Sequence, residues 1–354
     1  MIIPKTFTQS LQPVPRTYIG KAAASVLKKI EAKRILVLIS PSIASSTTYS
    51  GIRETLAGRL CGEERIEGCE ASAIRELAGH YRDSKVDCLV AIGGGSVIDT
   101  AKLLRIMLEA TDPAMPLAAL VERAGEQCST PLIAVPTTPA TGSEVSSIAV
   151  AKEAKKIPYV SQALIPSIAV LDPVFMTTIP PEQMAAFSAD IFSHCYESYF
   201  SKLANTLVKA YALEALELLK QGMIAYHDNH QDIKALEQIM CAGHLAGISQ
   251  TNAFVGVCHA LGHSLETING TPHSKAMQLL VWKCMAWHKQ QGQDNKIFMD
   301  AYSALSIEAE PGQLSAIDTQ AWAAAALEDP SIKTNPITMN KEKLLDLIQW
   351  ITRR

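Results

Sequence analysis

Three of the nine histidines fall within fifteen residues: His259, His263 and His273. The first two are four apart, so on a helix they share one face, a turn from each other. Asn269-Gly270-Thr271-Pro272 then breaks any helix, and His273 follows the break. Asp190 and His194 repeat the same spacing earlier in the chain. Together they offer one carboxylate and three or four imidazoles, a donor set that suits a divalent transition metal. A lone histidine in an apolar helix is usually a packed residue with one hydrogen bond, so no single pair carries the argument. Ala260 stands where a His-Glu-x-x-His peptidase signature needs its glutamate, which argues against that chemistry. Cys195 and Cys258 adjoin His194 and His259. Neighbours on a helix point about 100° apart, so both read as packing residues and not as ligands.

A second constellation is Gly93-Gly94-Gly95-Ser96, set between a short apolar run and a helical pattern. Backbone amides without Cβ atoms beside them can approach a phosphate, and a helix start adds partial positive charge. Ser96 is expected to cap that helix, with Asp99 three residues on as its capping-box partner. The plainer alternative is a tight turn that holds no ligand. Residues 136–144 form a loop rich in hydroxyls, from Thr137, Thr138, Thr141 and Ser143, and it follows another apolar run. Loops in that position bind ligands in α/β proteins.

The elements that must hold these groups change character along the chain. Arg34–Ser40, Asp87–Ile92, Pro131–Val135 and Ile168–Leu171 read as buried parallel strands, and residues 48–60, 71–83 and 97–109 as helices. This alternation predicts a doubly wound parallel sheet. After Ile179-Pro180-Pro181 the pattern is helical throughout. Helices are expected near 182–200, 203–224, 232–250, 257–268, 274–290, 296–303, 318–327 and 341–352. We therefore expect a doubly wound α/β domain at 1–179 and an all-helical domain at 180–354.

Composition narrows the function class. At 354 residues the chain is long for one core. A hydrophobic share of 48% with 19% charged residues describes an ordinary globular protein, and a net charge of -3 gives no footprint for nucleic acid. No apolar run is long enough to span a membrane, and the first residues lack a signal-peptide layout. The eight cysteines are scattered without a C-x-x-C, as expected for reduced thiols in the cytoplasm.

Several stretches together resemble the iron-containing (group III) alcohol dehydrogenases. They are Gly-Gly-Gly-Ser-Val-Ile-Asp-Thr-Ala-Lys (93–102), Pro-Thr-Thr-Pro-Ala-Thr-Gly-Ser-Glu (136–144), Leu-Asp-Pro (171–173), Asp-Ile-Phe-Ser-His-Cys-Tyr-Glu (190–197), Ala-Gly-Ile-Ser-Gln-Thr-Asn-Ala (246–253), His-Ala-Leu-Gly-His-Ser-Leu (259–265), Pro-His (272–273) and Lys-Thr-Asn-Pro (333–336). They recur in family order from about residue 34 onward. The resemblance implies that the α/β domain at 1–179 is dinucleotide-binding and the all-helical domain at 180–354 metal-binding, with metal ligands at Asp190, His194, His259 and His273 and with His263 beside the metal and not a ligand. It implies pyrophosphate contacts at Gly94, Gly95 and Ser96, cofactor-lining residues at Thr137 and Thr138, and Lys156 near the nicotinamide ribose. The implied function is reversible hydride transfer between a small alcohol or aldehyde and NAD(H) or NADP(H), with iron(II) or zinc as the metal, in a homo-oligomer. His263 would relay a proton to solvent.

The chain also departs from the family pattern. Ser40 stands where an aspartate usually holds the adenosine ribose, which admits NADP(H). Ala140 replaces a usual glycine, Ser188-Ala189 a Gly-Met-like pair, and Ser274 follows His273 where glycine is common. Phe254 stands where a small residue is usual and would narrow the pocket if it points inward; otherwise it is a core residue. Maleylacetate reductases share the scaffold but lack the Asp-x-x-x-His pair, which Asp190 and His194 retain. Glycerol dehydrogenase-like and dehydroquinate synthase-like enzymes differ in their histidine motifs. A non-catalytic nucleotide-binding or scaffold protein would predict loss of ligands or of the glycine turn, and both are present.

Overall fold

The structure is a computed structural model that describes residues 11–352, except 127, 308, 310–313, 315 and 316. The opening Met-Ile-Ile-Pro-Lys lies outside the described residues. Six strands form one parallel sheet: β1 (Arg16–Ile19), β2 (Ile35–Ile39), β3 (Leu60–Arg65), β4 (Cys88–Gly93), β5 (Leu132–Pro136) and β8 (Ile168–Leu171). Their order across the sheet is β1-β8-β5-β4-β2-β3. The central strands β2, β4 and β5 are buried along their whole length, which matches their unbroken apolar runs.

Alternate side chains of β2 serve opposite faces of the sheet. Leu36 and Leu38 pack with α3 (Ala71–Tyr81), α4 (Gly95–Glu109) and α5 (Leu117–Arg123). Ile35, Val37 and Ile39 pack with α2 (Thr47–Leu56), which follows a single turn, α1 (Pro41–Ala44). The chain thus leaves β2 toward one face and the adjacent β4 toward the other. That makes the crevice between their carboxyl ends a topological switch point, where doubly wound sheets seat ligands. Ser40 and the glycine turn flank it, and Ser40 donates its amide to the Ile92 carbonyl at 3.0 Å.

The sequence pattern missed four strands and one helix. β3 has few apolar residues, yet its acids are matched from both sides: Tyr49 donates to Glu63 at 2.7 Å and Tyr81 to Glu64 at 2.6 Å. A methyl at Gly62 would collide with the Tyr81 hydroxyl, so the strand needs that glycine. The helix expected to reach residue 60 therefore ends at Leu56, and the chain enters the edge strand through a 3-10 turn at Ala57–Arg59. β1 is a four-residue edge strand. The hairpin β6 (Ile148–Lys152) and β7 (Lys156–Val160) stands apart as its own two-stranded sheet. The helix α5 has only seven residues, too few to show a period.

The second half is helical: α6 (Pro181–Phe200), α7 (Thr206–Asp228), α8 (Ile233–Ala253), α9 (Val257–Asn269), α10 (His273–Gln290), α11 (Lys296–Ser303), α12 (Thr319–Glu328) and α13 (Lys341–Thr352). The predicted helices match these within a few residues, because a buried face recurs every third or fourth position. One apolar cluster runs through nearly all of them. Loop 136–144 docks on α8 through small residues. Gly142, at φ +59°, backs onto Gly247, and a methyl on Gly142 would stand 2.5 Å from the Gly247 Cα. Gly243 likewise admits the Pro139 carbonyl. Among the described residues no helix is long and apolar enough to cross a membrane, and all eight cysteines are free.

Candidate metal and nucleotide site

The carboxylate of Asp190 lies at the centre of the histidine cluster. α6 presents Asp190 and His194 one turn apart, α9 presents His259, and His273 opens α10 just after the helix break. Asp190 Oδ1 is 3.6 Å from His194 Nε2, 3.7 Å from His259 Nε2 and 3.5 Å from His273 Nε2. Ligand atoms of Asp190, His259 and His273 lie within 4.8 Å of one another. His194 faces Asp190 and stacks on His259, with centroids 4.7 Å apart, but falls outside that tightest set. Asp190 Oδ1 and His259 Nε2 are buried without a hydrogen-bond partner. Two unpartnered polar atoms aimed at one point in an apolar surround are what a cation would satisfy, and the carboxylate and imidazole donors fit iron(II) or zinc.

Charge balance in the cluster has clear causes. Burial pushes the Asp190 carboxyl upward, but the adjacent imidazoles of His194, His273 and His259 outweigh it and hold it well below the usual carboxylate range. Burial lowers His194 to about 4 against the pull of Asp190. Burial also opposes the charge on His259, yet the neighbouring Asp190 carboxylate and the hydrogen-bonded Glu197 raise it to about 9.

Glu197 is the functional candidate that sequence reasoning missed. It is buried on α6 and accepts from the Cys258 amide at 2.7 Å, the His259 amide at 3.3 Å and His259 Nδ1 at 2.6 Å. It therefore takes the place of a side-chain cap for α9, whose N-cap residue, Gly256, has no side chain to offer. A signal was present: residues 190, 194 and 197 form an i, i+4, i+7 stripe of ionisable groups on one face of a helix. His263 meets Asp329 at 2.8 Å through Nδ1, and this pairing was also not foreseen. Burial works against the Asp329 charge, but His263 and the Ser331 amide bring it to about 2.

At the glycine turn the structure corrects one expectation. Helix α4 begins at Gly95 with Gly94 as its N-cap and no side-chain cap. Ser96 is exposed in the first turn and does not cap it. Asp99 turns sideways instead: it accepts from the Ser143 hydroxyl and, at 2.9 Å, from the Val150 amide, so it ties α4 to the loop and to the hairpin. The glycines also have internal reasons. A methyl on Gly93 would collide with Val97, one on Gly95 would stand 2.9 Å from Thr141 Cγ2, and one on Gly94 would stand 3.2 Å from Thr138 Oγ1. The turn and the threonine loop are thus packed against each other, with the α4 amides open at the switch point. Lys156, at the start of β7, bonds Glu266 of α9 at 2.6 Å and so joins the two halves. Phe254 is half-buried and belongs to none of the three apolar clusters among the described residues. Its backbone adopts φ 58°, ψ -177°. Cys195 and Cys258 are fully buried.

A nucleotide-type α/β sheet joined to a helical bundle that gathers a carboxylate and imidazoles defines a class of metal-associated oxidoreductases. The chain belongs to the iron-containing alcohol dehydrogenase family. The model of iron-containing alcohol dehydrogenase matches residues 15–173, and that of the family's C-terminal part matches residues 184–319. The chain is 30% identical to the probable alcohol dehydrogenase EutG of Salmonella typhimurium over 86% of this chain and 82% of that protein. It is 26% identical to alcohol dehydrogenase 4 of Saccharomyces cerevisiae over 95% and 96% of the two chains. In fold it is similar to the iron-containing alcohol dehydrogenase of Thermococcus thioreducens, with a TM-score of 0.84 at 24% identity over 98% and 99% of the chains. It is also similar to the sulfoacetaldehyde reductase of Bifidobacterium kashiwanohense, solved with NAD+, with a TM-score of 0.85 at 21% identity over 98% and 99%.

Proposed function

We propose that this chain is a metal-dependent, NAD(P)-linked alcohol dehydrogenase that moves a hydride between a small primary alcohol or aldehyde and nicotinamide. The observation that carries the reading is the gathering of Asp190, His259 and His273 with two unpartnered buried atoms between them. In this reading Asp190, His194, His259 and His273 hold iron(II) or zinc. When bound, that ion supplies Lewis acidity to the alcohol oxygen, and the nicotinamide takes the hydride.

The chain's own residues do the rest. Asp190 supplies the anionic ligand. Glu197 holds the Nδ1 proton of His259 and so presents the unpartnered Nε2 to the cluster. Gly94, Gly95 and Ser96 offer the open α4 amides to the pyrophosphate, and Thr137, Thr138 and Lys156 line the nicotinamide end. Ser40, without a carboxylate, flanks the crevice at the adenosine end. His263, with its side chain 43% exposed, carries a proton between the cleft and solvent. We place the domain boundary between residues 179 and 180, at the Pro180-Pro181 entry to α6.

Metal analysis of the purified protein, combined with nicotinamide absorbance during turnover of short aldehydes, tests the reading. It requires about one ion per chain, and loss of both ion and turnover in Asp190→Ala and His273→Ala. Turnover by a metal-free preparation would refute it.

A further inference from the structure

We propose that Asp329 fixes which ring nitrogen of His263 is free to act in the cleft. This rests on the reading of His263 as the proton carrier. His263 is the open ring of the cluster: its side chain is 43% exposed, against 3% for His259 and 6% for His194. It stacks on His273 with centroids 5.2 Å apart and planes 21° from parallel. Its Nδ1 lies 2.8 Å from Asp329 Oδ2. An ionised carboxylate can only accept, so Nδ1 carries the proton and Nε2 keeps a lone pair. The neutral ring is then an acceptor at Nε2, as a group taking a proton from the cleft must be.

Asp329 is itself held in place. Its Oδ1 accepts the Ser331 amide at 2.8 Å, where it caps the turn Pro330–Lys333. The strap that follows is tied to the start of α9. Thr334 donates to the Val255 carbonyl at 2.5 Å, and Asn335 Oδ1 accepts the Val257 amide at 3.1 Å. Trp322 of α12 donates to the Leu261 carbonyl at 3.0 Å, two residues before His263. The Lys333-Thr334-Asn335-Pro336 segment thereby acquires a role. It seats the helix that carries His259 and His263, while Asp329 orients the outward ring. Asp329 is a positioning residue: it acts through His263 and touches neither ligand.

The test uses the full chain loaded with zinc and labelled with nitrogen-15 at histidine, so that ring nitrogen shifts report the tautomer directly. Wild type is expected to show His263 as the Nδ1–H form. Asp329→Ala should move it toward the Nε2–H form, and Asp329→Glu, which keeps an acceptor, should restore it. In parallel, Asp329→Ala should lower kcat by about 100-fold, the low end for a general acid–base group, with metal content unchanged and the cofactor KM within about twofold of wild type. On a His263→Ala background the same change should have no further effect on kcat. An unchanged tautomer in Asp329→Ala would overturn the proposal. So would metal content or cofactor affinity falling together with kcat, since that marks a merely structural residue. A wild type that binds no metal and turns over nothing would sink the alcohol dehydrogenase reading instead, whereas an active wild type insensitive to position 329 would sink this inference alone.

Discussion

Glu197 Oε2 stands 2.6 Å from His259 Nδ1, and the same carboxylate takes the amides of Cys258 and His259. One side chain therefore sets both the start of α9 and the aim of an imidazole. Glu197→Gln keeps the shape and removes the charge, so metal affinity should fall by about 10- to 100-fold. Competition with a chelator measures it. Glu197→Ala should also cost about 1–3 kcal/mol of stability, because a buried amide loses its acceptor.

Metal should stabilise the fold through Asp190. At an ion concentration about 100 times Kd, the bound state gains about 2.7 kcal/mol. Thermal unfolding of chelator-treated protein with and without zinc should show that gain. Asp190→Asn should abolish the response.

Phe254 sits in a backbone region that is essentially reserved for glycine, at φ 58°, ψ -177°. Phe254→Gly should relieve roughly 1–3 kcal/mol of strain, and the ring lies outside the three apolar clusters, so no core packing is lost with it. The expected outcome is a higher denaturation midpoint. A lower one would mean that the ring contributes more than the strain removes.

The Lys156–Glu266 pair is exposed at its lysine end, with side chains 54% and 26% accessible. Such pairs contribute about 0–1 kcal/mol. Lys156→Met should therefore leave stability nearly unchanged while raising the cofactor KM. A change in stability without a change in KM would make Lys156 a strut and remove it from the cofactor site.

His288 gives a pH signature away from the metal. The Tyr196 oxygen already receives the Asn295 and Gln293 amides, both at 3.3 Å, so its hydroxyl donates to His288 Nδ1 at 2.8 Å. Burial lowers His288 from 6.5 to about 4. The unfolded chain then takes up a proton before the folded chain does, so the contribution is complete above pH 6.5 and is lost as pH falls toward 4. The full loss is about 3 kcal/mol. His288→Gln should narrow the difference in Tm between pH 7.5 and pH 5.

What the sequence made legible follows periodicity and spacing. The three central strands are uninterrupted apolar runs, and the eight helices of the second half keep a buried face in step with their turn. Asp190, His194, His259, His263 and His273 stood out because a four-residue spacing and a helix break are local facts; only the family resemblance set His263 apart from the ligands. The edge strands β1 and β3 were not legible, since the tyrosines that match Glu63 and Glu64 lie elsewhere in the chain. Asp99 was misassigned for the same kind of reason. Its spacing from Ser96 suggested a cap, but its real partners, Ser143 and Val150, are more than forty positions away. Glu197 and Asp329 serve distant histidines, and only folding brings those pairs together.

Where Gly142 lies back to back with Gly247, loop 136–144 and the helical bundle meet across nothing bulkier than hydrogen. Any larger residue at either place must wedge the two halves apart. The spacing between the glycine turn and the histidine cluster is thus gauged at a joint that carries no reactive group, and an alanine there would shift that spacing while leaving Asp190, His194, His259 and His273 unchanged.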